Sequence, residues 1–258
     1  MSRQLVRAER SGAVDVAVLA SPHNRNALSI QLMAELLEAV SRSAAGDGRT
    51  LVLDHEGPVF CAGVDLRERQ ELGTGNQEHS LLLTHLLQAL WAYPKPLLCR
   101  VAGAVRGGGM GLVACSDIVA ASSKATFAYS EVRVGVAPAI VTAVSLPKAP
   151  LGLLLPWLLT GEPFDAELAR ELGLVTRVAP DAPTLEPEIS AILASGPNAV
   201  QAVKRLARRL PATAVHEQLE EMAELSAQLF AEPEAVEGMA AFSDRRPPAW
   251  AVPAGGPT

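Results

Sequence analysis

Residues 97–121 read LLCRVAGAVRGGGMGLVACSDIVAA. Leu97 to Val101 is an apolar run of strand length, Gly103 to Gly111 holds five glycines, Leu112 to Cys115 continues as helix, and Ile118 to Ala121 is a second strand. Strand, glycine-rich turn, helix and strand in succession predict an α/β protein. Arg106-Gly107-Gly108-Gly109-Met110-Gly111 would set free backbone amides at a helix N-terminus, where anionic oxygen is favoured. The run does not fit G-x-G-x-x-G within a clean βαβ unit, so it does not read as a dinucleotide site; a tight turn is the plain alternative.

On the N-terminal side, Val14 to Ala20 reads as a strand closed by the turn cluster Ser21-Pro22-His23-Asn24. Ser29 is a good N-cap ahead of Ile30, Met33, Leu36, Leu37 and Val40 at helical spacing, and the helix should stop at Gly46-Asp47-Gly48. Thr50 to Asp54 is a strand broken at Gly57-Pro58. The leucines at 82, 83, 86, 87 and 90 predict an amphipathic helix from Ser80 to Tyr93, ended by Pro94 and Pro96. On the C-terminal side the pattern predicts a helix over Phe164 to Leu172 and a strand over Leu174 to Val178. Three helices follow: Ala199 to Leu210, Ala212 to Phe230 and Glu234 to Phe242. An α/β body over 1–195 and a helical region over 196–258 are therefore expected.

A chain of 258 residues with 49% hydrophobic content can bury one large core. The net charge of -6 argues against a nucleic-acid partner, which requires clustered Lys and Arg, although a few local cations could still hold a polyanionic ligand. The most apolar stretch, Ala149 to Gly161, contains Pro150 and Pro156 and falls short of the roughly 20 residues that span a bilayer, so it reads as buried core and no membrane partner is expected. The N-terminus lacks the pattern of a secretory signal, which suggests a cytoplasmic protein. Cys61, Cys99 and Cys115 have no metal-type spacing and suit reduced, buried thiols.

A second segment, Phe60-Cys61-Ala62-Gly63-Val64-Asp65-Leu66, follows a strand and a turn, and its small residues would admit a ligand close to the main chain. Two such segments side by side would aim two N–H donors at one oxygen, an oxyanion hole. Four motifs stand in order: Asn24-Arg25-Asn26-Ala27-Leu28, the Phe60–Leu66 segment, Gly107-Gly108-Gly109, and Ser130-Glu131-Val132-Arg133-Val134-Gly135. Together they resemble the crotonase superfamily, the enoyl-CoA hydratase and isomerase group, over nearly the whole chain.

The resemblance implies a crotonase-like spiral of ββα units over 1–195, a C-terminal helical region over 196–258 that forms trimers, in some members paired into hexamers, and an acyl-CoA substrate with no separate cofactor. It makes Val64 and Gly108 the amide donors to the thioester carbonyl. It assigns Arg25, Ala27, Ala62, Leu66 and Arg67 to the CoA moiety, with Asp65 and Gly111 completing the substrate-side set, although Asp65, like Asp117, reads from its neighbours as a turn or cap carboxylate. Of the two glutamates typical of the family's hydratases, one is present as Glu131; the other position is Gly111. Three readings follow: hydration of an enoyl-CoA with Glu131 alone, single-glutamate isomerisation of a double bond, or a thioester binder or hydrolase of weak turnover. The pocket ceiling is expected from Val136, Ala137, Ile140, Leu155, Pro156 and Trp157, which favours an aliphatic or aromatic acyl chain.

Overall fold

The computed structural model describes residues 3–73, 77–181 and 183–248. In chain order the elements are β1 (Val6–Ser11), β2 (Val14–Leu19), α1 (Ile30–Ala45), β3 (Thr50–His55), β4 (Val59–Cys61), α2 (Leu66–Leu72), α3 (Glu78–Trp91), β5 (Leu97–Val101), β6 (Ala104–Arg106) and α4 (Gly108–Cys115). They continue with β7 (Ile118–Ser122), β8 (Thr126–Ala128), α5 (Ala139–Ser145), α6 (Leu151–Thr160), β9 (Phe164–Asp165), α7 (Ala166–Glu171), β10 (Arg177–Ala179), α8 (Glu186–Ala194), α9 (Pro197–Ala231) and α10 (Pro233–Asp244).

The strands form two sheets, ordered β1-β2-β3-β5-β7-β10 and β4-β6-β8-β9. From β3 to β8 successive strands alternate between them: β3, β5 and β7 pair in parallel in the first, while β4, β6 and β8 pair in parallel in the second. Each step is therefore strand, corner, strand and then a helical return, a spiral of ββα units as expected. Glycine makes two of the corners possible. Gly57 has a φ of 78°, and a Cβ at Gly103 would stand 2.0 Å from the Pro58 carbonyl oxygen. Strands β3 and β5 are buried almost end to end, which explains their unbroken apolar runs.

Helix α4 is buried at every residue, so it has no polar face to show. Its glycines let neighbours come close: an added Cβ would meet Leu28 at 2.7 Å from Gly108, Cys61 at 2.8 Å from Gly109, and Leu87 at 2.8 Å from Gly111. Cys61, Cys99 and Cys115 are free and fully buried. Asp117 accepts the Leu97 amide at 2.8 Å and pairs with Lys204 at 2.6 Å and Arg208 at 2.5 Å. Arg208 also donates to the carbonyls of Trp91 and Cys115, so the N-terminal half of α9 is tied to the C-terminal ends of α3 and α4, where cations are favoured.

Several expectations change. The N-terminal strand β1, not foreseen, pairs antiparallel with β2 across Gly12, whose φ is 58°. Phe164 and Asp165 form a short strand on β8, and the Asp165 side chain caps α7, so the helix begins two residues later than its periodicity suggests. The strand after it lies at Arg177–Ala179 because Leu172 to Val175 turn back onto α7. Helix α9 is continuous where two helices were expected to meet near Pro211; the Asp117 pairs fix one end and a buried stripe including Leu219, Ala223, Ala227 and Phe230 fixes the other. The Ala149–Gly161 segment is not wholly core: in α6 only Leu154 and Leu158 are buried, while Leu151, Leu153, Leu155 and Leu159 are exposed, because the body covers a single face of the helix. Among the described residues no helix is long and apolar enough to cross a membrane.

Candidate active site

One cavity of about 430 Å³ brings together Arg25, Ala62, Val64, Leu66, Gly108 and Glu131. Its floor is built from the loop before α1. Arg25 and Asn26 adopt left-handed backbone, with φ of 59° and 53°. Asn26 tolerates this and is buried, donating to the carbonyls of Glu56 at 3.0 Å and Val59 at 2.9 Å while accepting the Ser21 amide at 2.8 Å. That side chain fastens the Arg25 loop to the β3–β4 corner.

Leu28 then forms a parallel bridge with Val64: the Leu28 amide donates to Gly63 at 2.7 Å and the Asp65 amide donates back to Leu28 at 3.3 Å. In such a bridge the Val64 N–H points away from Leu28. Gly108 opens α4, so its N–H has no acceptor within the helix. The Cβ position of Gly108 is 3.8 Å from Val64 Cγ2, and that of Gly107 is 3.6 Å from Gly63 Cα, so the two glycine-bearing segments abut. Gly107 itself has φ 46° and ψ -121°, a conformation reserved for glycine, which turns the chain from β6 into α4. Behind the floor, Glu68 accepts the Ile30 amide at 2.8 Å and lies 3.3 Å from His79 Nε2. Burial raises the Glu68 carboxyl above its usual range and holds His79 down at about 4, so this contact is with a neutral imidazole at neutral pH.

Glu131 lies on a 3-10 turn, Ser130–Val134. Glycine contacts clamp that turn from two sides: a Cβ at Gly238 of α10 would stand 2.3 Å from the Val134 carbonyl oxygen, and one at Gly161 beyond α6 would stand 2.8 Å from Val132 Cγ2. The carboxylate is directed inward. Oε1 is 3.3 Å from the Cβ position of Gly107, and Oε2 is buried without a hydrogen-bond partner. Burial pushes the carboxyl up to about 7, so at neutral pH both protonation states are populated, which suits a group that must accept and return a proton.

Four of the expected residues do not line the cavity. Ala27 is packed beneath the loop, and Arg67 is exposed on the first turn of α2. The Asp65 side chain caps α2, accepting from the amides of Arg67 and Glu68, as its cap reading suggested. Gly111 is buried, and its missing side chain would point at Leu87 and at Val141, 3.4 Å away, instead of into the cavity. Restoring an acid there does not restore a second carboxylate: Gly111→Glu is expected to overpack the core, lowering stability in urea by about 1–3 kcal/mol with no gain in turnover. Higher activity with unchanged stability would show the position opening to the substrate.

The ceiling also differs from expectation. Val136, Ala137 and Ile140 line the cavity; Leu155, Pro156 and Trp157 do not, since α6 lies outside it and Trp157 packs on Phe164 at 5.2 Å between ring centroids. Their place is taken by Ser226 and Phe230 of α9 and Phe242 of α10. Nothing local in the sequence marks Ser226 and Phe230, which reach the site through the return of α9 across α3 and α5; Phe242 opens the Phe242–Pro247 stretch that resembles the family, but its place on the wall depends on α10 packing against the Ser130–Val134 turn. Among the described residues no cluster of three His, Cys, Asp or Glu side chains could hold a metal ion.

Residues 9–253 match the family model described as enoyl-CoA hydratase/isomerase. A Thermus thermophilus protein that carries an enoyl-CoA hydratase name is 34% identical over 253 residues, covering 95% of this chain and 99% of that one. Enoyl-CoA hydratase EchA19 of Mycobacterium tuberculosis is 31% identical over 249 residues, covering 93% and 94%. The crystal structure of an enoyl-CoA hydratase from Mycobacterium avium superposes with a TM-score of 0.87 at 35% identity, covering 97% of this chain and all of that one.

Proposed function

Since the chain belongs to the enoyl-CoA hydratase/isomerase family, we propose that it is a hydratase in which Glu131 is the sole acid–base carboxylate. The amides of Val64 and Gly108 hold the thioester oxygen. Ionised Glu131 takes a proton from water as the water oxygen bonds to the β-carbon, and the electron pair of the double bond moves onto the thioester as an enolate. Protonated Glu131 then delivers its proton to the α-carbon, so that one water is added and the carboxylate is regenerated. Donors fixed before reaction stabilise the enolate more than the ground state, and each is worth about 3–4 kcal/mol. The observation that carries this reading is the inward carboxylate, with Oε1 beside Gly107 and Oε2 buried without a partner.

Arg25 and Ala62, on the cavity wall, and Arg67, nearby on the surface, are assigned to the CoA moiety; Ala27, Asp65 and Gly111 shape the segments around it. No separate cofactor is needed for this chemistry. A cytoplasmic homotrimer, single or paired, joined through the region 196–258, completes the proposal, and the exposed Leu225 and Val236 of that region support association. A second reading, movement of a double bond by the same carboxylate, is favoured by the absence of an acid at Gly111. Ultraviolet absorbance of the conjugated thioester tests both. Loss of conjugation with crotonyl-CoA is the expected result; gain of conjugation with a 3-enoyl-CoA and no reaction of crotonyl-CoA would make the chain an isomerase, and binding without turnover of either would make it a binder.

A further inference from the structure

Ser226 stands apart from the other helical hydroxyls. Ser41, Thr84, Thr142, Ser145 and Thr160 each donate to the carbonyl four residues earlier, the usual way a hydroxyl within a helix is satisfied. Ser226, in α9, is only 6% exposed and makes neither that bond nor any other among the described residues. It lines the cavity. The hydroxyl oxygen is not sealed off, and an oxygen of a ligand in the cavity would give it a partner.

Its surroundings say which part of the ligand that is. Helix α9 packs on α3 and α5, and the wall these helices give the cavity is otherwise apolar: Leu83, Ile140, Val141 and Phe230. The remaining polar lining side chains, Arg25, Arg106, Ser130, Glu131 and Arg133, come from the loop, the strand end and the 3-10 turn on the body. Ser226 is thus, among the described residues, the single polar side chain on the helical wall. An apolar enclosure with one placed hydroxyl orients a mostly aliphatic ligand that carries one oxygen.

We infer that Ser226 selects acyl-CoA thioesters whose acyl chain bears a hydrogen-bonding oxygen, a hydroxyl or keto group, beyond the reacting carbons. This rests on the thioester reading above and adds a substrate class to it. A pocket that hydrogen-bonds such an oxygen discriminates against the analogue lacking it, since that analogue leaves the serine unpaired.

Equilibrium binding of saturated thioesters tests this without depending on turnover. Hexanoyl-CoA, its 4-, 5- and 6-hydroxy derivatives and 5-oxohexanoyl-CoA would be titrated calorimetrically into the native protein, Ser226→Ala and Ser226→Thr. The native protein should bind at least one oxygenated analogue about tenfold more tightly than hexanoyl-CoA. Ser226→Thr should keep that preference, and Ser226→Ala should erase it while holding hexanoyl-CoA at least as well. Whether the hydroxy or the oxo analogue is preferred separates the two sources of the oxygen. Binding of hexanoyl-CoA with no preference in the native protein, or a preference that survives in Ser226→Ala, overturns this inference alone. Failure of every thioester to bind overturns the thioester reading and this inference with it.

Discussion

Replacing Glu131 by glutamine is expected to lower kcat by a factor of about 10²–10⁴ while making the folded chain more stable at pH 8. Both effects have one origin. The carboxyl is held at about 7 in the fold against an ordinary 4.5, by burial. A raised folded value means that the contribution of this group to stability is fully present below about pH 4.5 and is lost as pH rises through 7. The ionised group therefore burdens the native state above neutrality, by up to about 3 kcal/mol. Glutamine keeps the shape without the charge, so the variant should exceed the native protein in urea resistance at pH 8 and lose that advantage near pH 4.5. In the native enzyme, kcat/KM for hydration should rise with pH to a plateau, with a midpoint near 7, as the base ionises. A variant that is inactive and less stable at both pH values would mean that Glu131 is a structural carboxylate.

Gly107→Ala should be nearly as damaging to turnover, for a geometric reason. With φ 46° and ψ -121° the residue sits where L side chains are strained, and its Cβ would come within 3.3 Å of Glu131 Oε1. Strain of this kind costs about 1–3 kcal/mol, and relief by rotation of the peptide would swing the Gly108 amide away from the place proposed for the thioester oxygen. Loss of one such donor lowers kcat by about 10²–10³. Steady-state kinetics should show a fall in kcat with KM little changed, and urea denaturation should show a loss of stability. A kcat within threefold of native would detach the Gly107 turn from the chemistry.

The strands of the larger sheet from Val14 to Ala121 and the helices between them were legible because those strands are largely buried and bounded by turn residues, whereas β4 and β6, three residues each, were not. That Val64, Gly108 and Glu131 come to one cavity was legible because they stand in motifs set by residue type close to the backbone. Gly111 was legible as an absence, but not the direction of its missing side chain, which depends on how tightly α4 packs on Leu87. The outer wall was read wrongly. The apolar run of α6 has the composition of a core, and only the one-sided cover of that helix reveals that Leu155 and Pro156 lie on the surface. Ser226 is an ordinary serine in an ordinary helical sequence, and its isolation appears only when α9 is laid across α3 and α5.

The three sealed cysteines turn the chain into its own reporter of breathing. Burial holds the thiols of Cys61 and Cys115 at about 12 and raises that of Cys99 as well, so the native protein offers an alkylating reagent almost no thiolate. Labelling must wait for an opening. Cys99 lies in the middle of the six-stranded sheet, whereas Cys61 ends β4, at the edge of the smaller sheet and three residues before Val64. Modification confined to Cys61 would time local opening of the strand that leads into Val64, separately from global unfolding, which would expose all three at a single rate.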